Sequence, residues 1–111
     1  MARFALGVMA GVIITTLAGA AVGSHAQSDD DGVWQALADC ESSGRWDLNT
    51  GNSYYGGLQE DLVFWRRHGG LAYAARPDLA SRDAQIAVAQ RGLSVQGWLA
   101  WPSCSRQLGL I

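Results

Sequence analysis

The chain has 111 residues, of which 49% are hydrophobic and 16% charged, and its formal net charge is −2 at pH 7. This length allows one small domain, and the slight negative charge with scattered basic residues disfavours binding to nucleic acid. His25 and His68 have no His, Cys or carboxylate partner at the spacing of metal ligands, so neither a metal site nor a cofactor is expected.

An uncharged run at residues 4–23, FALGVMAGVIITTLAGAAVG, follows Arg3 and predicts a targeting or membrane segment. A secretory signal peptide would be cleaved after residue 26, where a Ser-His-Ala sequence supplies a small-residue site. The run is also about long enough to span a bilayer as an uncleaved anchor. We therefore expect residues 1–26 to be a signal peptide or membrane anchor, residues 27–32 a linker, and residues 33–109 an exported domain.

Two cysteines, Cys40 and Cys104, occur in the sequence. Because disulfides persist in oxidising compartments, export predicts that these two form one disulfide. Closing so long a loop would contribute about 4 kcal/mol to stability in the chain-entropy model. Two buried free thiols are the alternative.

The first predicted helix lies in GVWQALADCES, where Val33, Trp34, Leu37 and Cys40 share one face at helical spacing. It should end near residues 41–43, because Gly44 follows. The next segment, WDLNTGNSYYGGLQ, has turn-forming Asn and Gly residues around two tyrosines and favours a short, irregular hairpin.

Two further helices are predicted in the second half of the chain. A short one lies in QEDLVFWRRHGG and is followed by a turn at residues 76–78. The clearest helix is SRDAQIAVAQRGLSVQG, which Ser81 can cap and which Gly92 should weaken locally. Pro102 prevents a long helix in the tail WLAWPSC. The expected fold class is therefore α+β and mainly helical: a small, disulfide-closed domain with a short hairpin beside a cleft.

Glu41, at the end of the first predicted helix, is the candidate general acid. A carboxylate there faces the negative end of the helix dipole, and neighbouring aromatics such as Trp46, Tyr54 or Tyr55 would desolvate it. Both effects favour the protonated form that general acid catalysis needs. The alternative is an ordinary solvated glutamate. Asp47, Glu60 and Asp61 are possible second carboxylates, although Asp47 suits a turn and Asp61 a helix start.

Several stretches taken together, ALADCESSGRWDLNTGNSYYGGLQ, FWRRHGG, YAARPDLASRDAQIAVAQR and QGWLAWPSC, resemble the catalytic domain of the resuscitation-promoting factors. The match runs from about residue 33 to residue 109. The resemblance implies a small lysozyme-like fold, the disulfide named above, and Glu41 as the essential glutamate. It also implies a role for Ser42 in orienting Glu41 and for further residues along the glycan cleft: Asn49, Thr50, Tyr55, Gln59 and Trp65. Trp46 joins this set as an aromatic able to stack on a sugar ring.

One position departs from the family pattern. Glu60 stands where the family usually has an aromatic residue, and Val63 and Phe64 replace small and hydroxyl residues. Either an apolar core position has become acidic, or Phe64 supplies the missing ring.

The function implied by the resemblance is that of a secreted or cell-wall-associated glycosidase. It would cleave the β-1,4 bond between N-acetylmuramic acid and N-acetylglucosamine in peptidoglycan strands. Because no aspartate matches a nucleophile, a lytic transglycosylase route is favoured over hydrolysis as a muramidase. The alternative is a non-catalytic module that binds muropeptides. Other cell-wall hydrolases are possible partners, and a membrane is contacted only through an uncleaved N-terminal segment.

Overall fold

The computed structural model describes residues 31–111, and the segment predicted at residues 4–23 lies outside them. Four α-helices occur in the described part: α1, which includes residues 31–42, α2 (Leu62–Arg67), α3 (Arg82–Gln96) and α4 (Pro102–Gln107). Short 3-10 helices lie at Gly70–Ala72, Pro77–Leu79 and Gly97–Ala100. The mainly helical fold class is confirmed. Residues 31 and 32, which the sequence assigns to the linker, are already helical.

Helix α1 ends directly after the candidate acid. Ser43 and Gly44 both have left-handed backbone, with φ of 58° and 73°. Their N–H groups still donate to the carbonyls of Asp39 and Ala38, each at 3.1 Å, so the last turn of the helix is satisfied. The prediction that Gly44 stops this helix is confirmed, and the stop places Glu41 on the final turn.

The predicted hairpin is a pair of isolated bridges centred on Tyr55. This residue pairs antiparallel with Asn49 on one side and with Glu60 on the other. The N–H groups of Tyr55 and Glu60 each donate to the other residue's carbonyl at 3.0 Å. Residues 56–59 form the tight turn between these two partners, here called the 56–59 turn, and Gly56 enters it with φ of 79°.

Helix α3 begins as predicted, because the Ser81 hydroxyl accepts a hydrogen bond from the Ala84 N–H at 3.1 Å. Gly92 has a different role from the one expected. A Cβ atom at this position would collide with the ring of Phe64, which fills the space beside the helix. The residue that should weaken α3 therefore makes room for an aromatic side chain of α2.

The core joins α1, α3 and the tail of the chain. Trp34 packs against Trp98 and Trp101 with ring centroids 5.2 and 5.5 Å apart, and Phe64 meets Trp101 at 5.6 Å. Cys40 and Cys104 form the predicted disulfide across a sequence separation of 64 residues. Within residues 31–111, no helix is both long and apolar enough to cross a membrane.

Candidate active site

A cleft of about 320 Å³ lies beside the end of α1. Glu41 lines one part of it, Tyr54 and Gln59 come from the hairpin, and residues 100–103 come from the start of the tail. The disulfide explains why residues 100–103 lie near Glu41, because it joins Cys104 to Cys40, the residue before Glu41.

Glu41 is half-buried in this cleft. Desolvation by burial raises the pKa of its carboxyl above the ordinary value of 4.5. A carboxylic acid with a raised pKa keeps its proton to a higher pH than an exposed glutamate does, and in a cleft it can donate that proton to a bound oxygen.

Ser42, the next residue, connects the acid to the 56–59 turn. It is 6% exposed, and its hydroxyl lies 2.8 Å from the Gly57 carbonyl and 3.0 Å from the Ala38 carbonyl. The same oxygen accepts a hydrogen bond from the Arg45 N–H at 3.1 Å. Ser42 thus points away from the cleft and holds the turn against α1.

Gln85 of α3 holds the other side of the same turn. Its side-chain oxygen accepts from the Gly57 N–H at 2.9 Å, and its amide donates to the carbonyls of Trp46 and Ala80 at 2.9 and 3.0 Å. The residue is fully buried, so these bonds satisfy a polar group that would otherwise be costly. One residue, Gly57, therefore joins α1 to α3: its carbonyl bonds Ser42 and its N–H bonds Gln85.

A second pocket of about 250 Å³ adjoins the cleft and is here called the side pocket. Tyr54, Gln59, Ala100 and Trp101 line both spaces. Glu60 lines the side pocket, is 3% exposed, and has neither carboxyl oxygen hydrogen-bonded. Burial, with a smaller effect of the Asp61 charge, raises the pKa of Glu60 well above 4.5.

At residue 60 the structure agrees with the first explanation, because an acidic residue occupies a buried position. Phe64, on the next helix, packs its ring against Trp101 with centroids 5.6 Å apart, which does not test the second explanation. Asp61 caps that helix, accepting from the Phe64 N–H at 2.8 Å, as expected for a helix start.

The other predicted residues are distributed over three environments. Trp65 is fully buried and donates its indole N–H to the Ala74 carbonyl at 2.8 Å, so it lies in the core and not on the cleft. Trp46 packs on Gly57 and lies under the Arg82 guanidinium at 5.3 Å. Asn49 and Thr50 are exposed, and the Asn49 side chain accepts from the Gly51 N–H at 3.1 Å.

The sequence placed Tyr55 on the glycan cleft, but Tyr54 is the tyrosine that lines it. Tyr55 is half-buried and lies under the Arg76 guanidinium at 5.6 Å, whereas Tyr54 is exposed and lines the cleft. Neighbouring residues of an extended chain point to opposite sides, so only one of the pair can face the cleft.

Trp101 is one of several cleft residues that sequence reasoning missed, with Tyr54 and the other residues of 100–103. Its indole N–H donates to the Leu58 carbonyl at 2.9 Å, and its ring lines both the cleft and the side pocket. The signal available was the disulfide, since a residue three positions before Cys104 has to lie near Glu41. Within residues 31–111, no three His, Cys, Asp or Glu side chains are grouped closely enough to hold a metal ion.

Comparison with known proteins assigns the chain to a family. A family model described as a transglycosylase-like domain matches residues 28–104. The chain is 56% identical over 77 residues to resuscitation-promoting factor RpfB of Mycolicibacterium smegmatis, covering 69% of this chain and 21% of that protein. It is 42% identical over 108 residues to resuscitation-promoting factor Rpf of Micrococcus luteus, covering 97% of this chain and 47% of that protein.

A third relative is resuscitation-promoting factor RpfC of Mycobacterium tuberculosis, 43% identical over 101 residues that cover 91% of this chain and 69% of the relative. The chain spans less than half of the length of RpfB and Rpf. With the family model matched over most of the chain, this protein belongs to the transglycosylase-like family that includes the catalytic domains of the resuscitation-promoting factors.

Proposed function

We propose that this protein is a peptidoglycan-cleaving glycosidase in which Glu41 is the general acid. The observation that carries the proposal is the Glu41 carboxyl, half-buried and with a raised pKa, in a cleft lined by Tyr54, Gln59 and Trp101. The family membership supports a glycan of the bacterial wall as the substrate. The bond cleaved is the β-1,4 bond between N-acetylmuramic acid and N-acetylglucosamine.

In the first step, Glu41 donates its proton to the glycosidic oxygen as the bond from that oxygen to the muramic C1 breaks. The substrate's own acetamido group assists departure, so no protein nucleophile is needed. Glu41, now ionised, then takes the proton of the muramic 6-hydroxyl, whose oxygen closes a 1,6-anhydro ring. The products are an anhydro-muramic end and a free N-acetylglucosamine end, and the carboxyl is protonated again.

The carboxyl groups near the cleft favour this lytic transglycosylase route over hydrolysis as a muramidase. A hydrolytic pair needs an ionised second carboxylate close to the scissile bond. Glu60 is buried and its pKa is raised well above 4.5, while Asp61 is engaged as a helix cap. Asp47 is exposed and does not line the cleft. None of the three suits the second role.

The test compares the oxidised wild-type protein with Glu41→Gln on purified peptidoglycan, with released fragments identified by mass spectrometry. We expect anhydro-muropeptides from wild type and a rate about 10² to 10⁴ lower for the variant. Asp47→Asn is the matched control, since it removes an exposed carboxyl and should cleave normally. Reducing-end products would establish hydrolysis instead, and equal rates for Glu41→Gln would overturn the assignment of the acid.

A second candidate function is a non-catalytic muropeptide-binding module. Glu60, unusual for its position, is the observation that favours it, because its burial alters the pocket beside the cleft. Folded wild type that binds glycan strands but releases no fragment would support this candidate.

Export of the domain is part of the same proposal. The apolar run at residues 4–23 would direct residues 33–109 to the outside of the cell as a secreted or wall-associated protein, with cleavage after residue 26 or retention as an anchor. Sequencing the N-terminus of the protein recovered from culture medium and from membranes distinguishes cleavage from retention.

A further inference from the structure

Glu60 stands apart from the other buried polar residues of the described chain. Its Oε1 and Oε2 atoms are the only buried side-chain oxygens or nitrogens within residues 31–111 that have no hydrogen-bond partner. An ionised carboxylate in such a place would be costly, because its oxygens are buried and no protein donor compensates the charge. This buried arrangement, here called the closed state, therefore favours the neutral form of Glu60.

The backbone of Glu60 closes the 56–59 turn. It exchanges two hydrogen bonds of 3.0 Å with Tyr55 across that turn. The turn in between presents the Gly57 carbonyl to Ser42 at 2.8 Å and the Leu58 carbonyl to the Trp101 indole at 2.9 Å. Gln59, the last residue of the turn, lines the cleft. Opening of the Tyr55–Glu60 pair would therefore also displace the 56–59 turn, which forms this side of the cleft.

We infer that Glu60 is a positioning residue that keeps the 56–59 turn against Ser42 and Trp101 only while its carboxyl carries a proton. Once ionised, the carboxylate would leave its buried position for water, and the route in this proposal is the opening of the Tyr55–Glu60 pair that holds its backbone. A direct role as a ligand-binding group is disfavoured, because both carboxyl oxygens are closed off from solvent. The inference rests on the proposed function in one respect: opening removes Gln59 from the cleft and so limits cleavage at high pH.

The charges around Glu60 are compatible with this behaviour. Asp61, its neighbour, adds a negative charge that favours the protonated form. Tyr54 and Arg67 are the remaining titratable groups that line the side pocket, and no ion pair joins Arg67 to Glu60. The lining from α3 and the tail is uncharged: Gln96, Ala100 and Trp101. Behind it, the His68 imidazole bonds the Gln96 side chain at 3.2 Å.

The direction of the pH effect follows from linkage. Glu60 binds its proton more tightly in the closed state than in the open, solvated state, whose pKa is near 4.5. As pH rises above 4.5, the ratio of open to closed molecules increases by up to about tenfold per pH unit. The increase levels off above the raised pKa of the closed state.

Hydrogen exchange of the Tyr55 and residue-60 amides tests the inference in the oxidised full-length chain. In wild type we expect the protection factor of both amides, corrected for intrinsic exchange, to fall by up to about tenfold per pH unit above the solvated pKa. In Glu60→Gln, and in Glu60→Met as a second neutral variant, protection should stay constant with pH. Asp47→Asn, which removes an exposed carboxyl, should behave like wild type.

A wild-type protection factor that does not change with pH would overturn the inference without any variant, and so would an equal fall in Glu60→Gln. The link to cleavage is tested separately by the ratio of the Glu60→Gln rate to the wild-type rate on peptidoglycan. That ratio cancels the titration of Glu41 and should rise with pH. If neither protein cleaves the wall, the proposed function fails while the exchange experiment still decides the role of Glu60.

Discussion

Glu41 shows how position alone changes the chemistry of one side chain. The carboxyl is close enough to the cleft to reach a ligand and buried enough for its pKa to rise above 4.5. Desolvation causes this rise in the pKa. The sequence could suggest it through the neighbouring aromatic residues but could not establish it. Which aromatics surround it depends on the fold: Trp101 and Tyr54 line the cleft, whereas Trp46 packs on Gly57.

The first prediction concerns the pH dependence of cleavage. Because the acid must carry its proton, the rate should fall as pH rises through the raised pKa of Glu41, by about tenfold per pH unit at the steep part. Initial rates of peptidoglycan solubilisation from pH 4 to pH 9 measure this. The measurement uses the Glu60→Gln background, because residue 60 then cannot titrate and Glu41 is the remaining glutamate with a raised pKa. A flat rate over a range where circular dichroism shows folded protein would contradict the assignment.

The second prediction concerns Ser42. Removing its hydroxyl in Ser42→Ala takes the hydrogen-bond donor from the buried Gly57 carbonyl, so the free energy of unfolding should fall by about 1–3 kcal/mol. Urea denaturation measures the change. Ser94→Ala is the matched control, because its hydroxyl bonds the Arg91 carbonyl on the exposed face of α3 and its loss should cost under about 0.5 kcal/mol. Equal effects of the two substitutions would mean that the Ser42 contacts add nothing.

At the scale of elements, the 56–59 turn is the structure on which the cleft depends. It is held by Ser42 from α1, by Gln85 from α3 and by the Trp101 indole from the tail. Gly57 in its centre has no room for a side chain, because a Cβ atom there would collide with the ring of Trp46.

The third prediction follows from that contact. Gly57→Ala should displace Trp46 or the turn, lowering the free energy of unfolding by about 1–3 kcal/mol, as overpacking usually does, and reducing cleavage further than the loss of folded protein explains. Thermal unfolding and peptidoglycan solubilisation on the same samples measure both effects. Gly32→Ala is the control, since nothing lies within 4 Å of its added methyl group and it should cleave normally. Unchanged stability in Gly57→Ala would show that Trp46 moves without cost.

The elements also show which features a sequence can predict. The end of α1 at Gly44 and the cap of α3 by Ser81 were predictable, because both depend on hydrogen bonds between near neighbours. The fit of the Phe64 ring against Gly92 was not, because it joins residues 28 positions apart on two helices. The burial of Glu60 was one of two alternatives that the sequence left open, because the choice between them depends on contacts with other elements.

For the whole molecule, the disulfide closes the chain around the site. It joins Cys40, which precedes Glu41, to Cys104, which follows the cleft residues 100–103. These two sides of the cleft are therefore linked covalently. The sequence predicted this bond from export and from the count of two cysteines, but it did not assign residues 100–103 to the cleft. The cleft residues that were missed lie in that stretch and beside Tyr55, where tertiary contacts decide which side chain faces the cleft.

The fourth prediction concerns removal of the disulfide. A Cys40→Ala, Cys104→Ala double variant should lose about 4 kcal/mol of stability, because the unfolded chain regains the freedom of a 64-residue loop. Guanidinium denaturation of the variant and of oxidised wild type measures the difference. Reduced wild type, assayed with the reductant present, should behave like the variant. A loss under about 1 kcal/mol would show that the unfolded chain was already compact in this region.

The position of Trp101 limits which substitutions the cleft can accept. Its ring packs in the core with Trp34, Trp98 and Phe64, and the same ring lines both the cleft and the side pocket. No layer of residues separates the cleft from the core, so a substitution of Trp101 that changed the shape of the cleft would also lower stability. A change in ligand preference at little cost in stability is therefore expected at the exposed rim, at positions such as Tyr54 and Ser103.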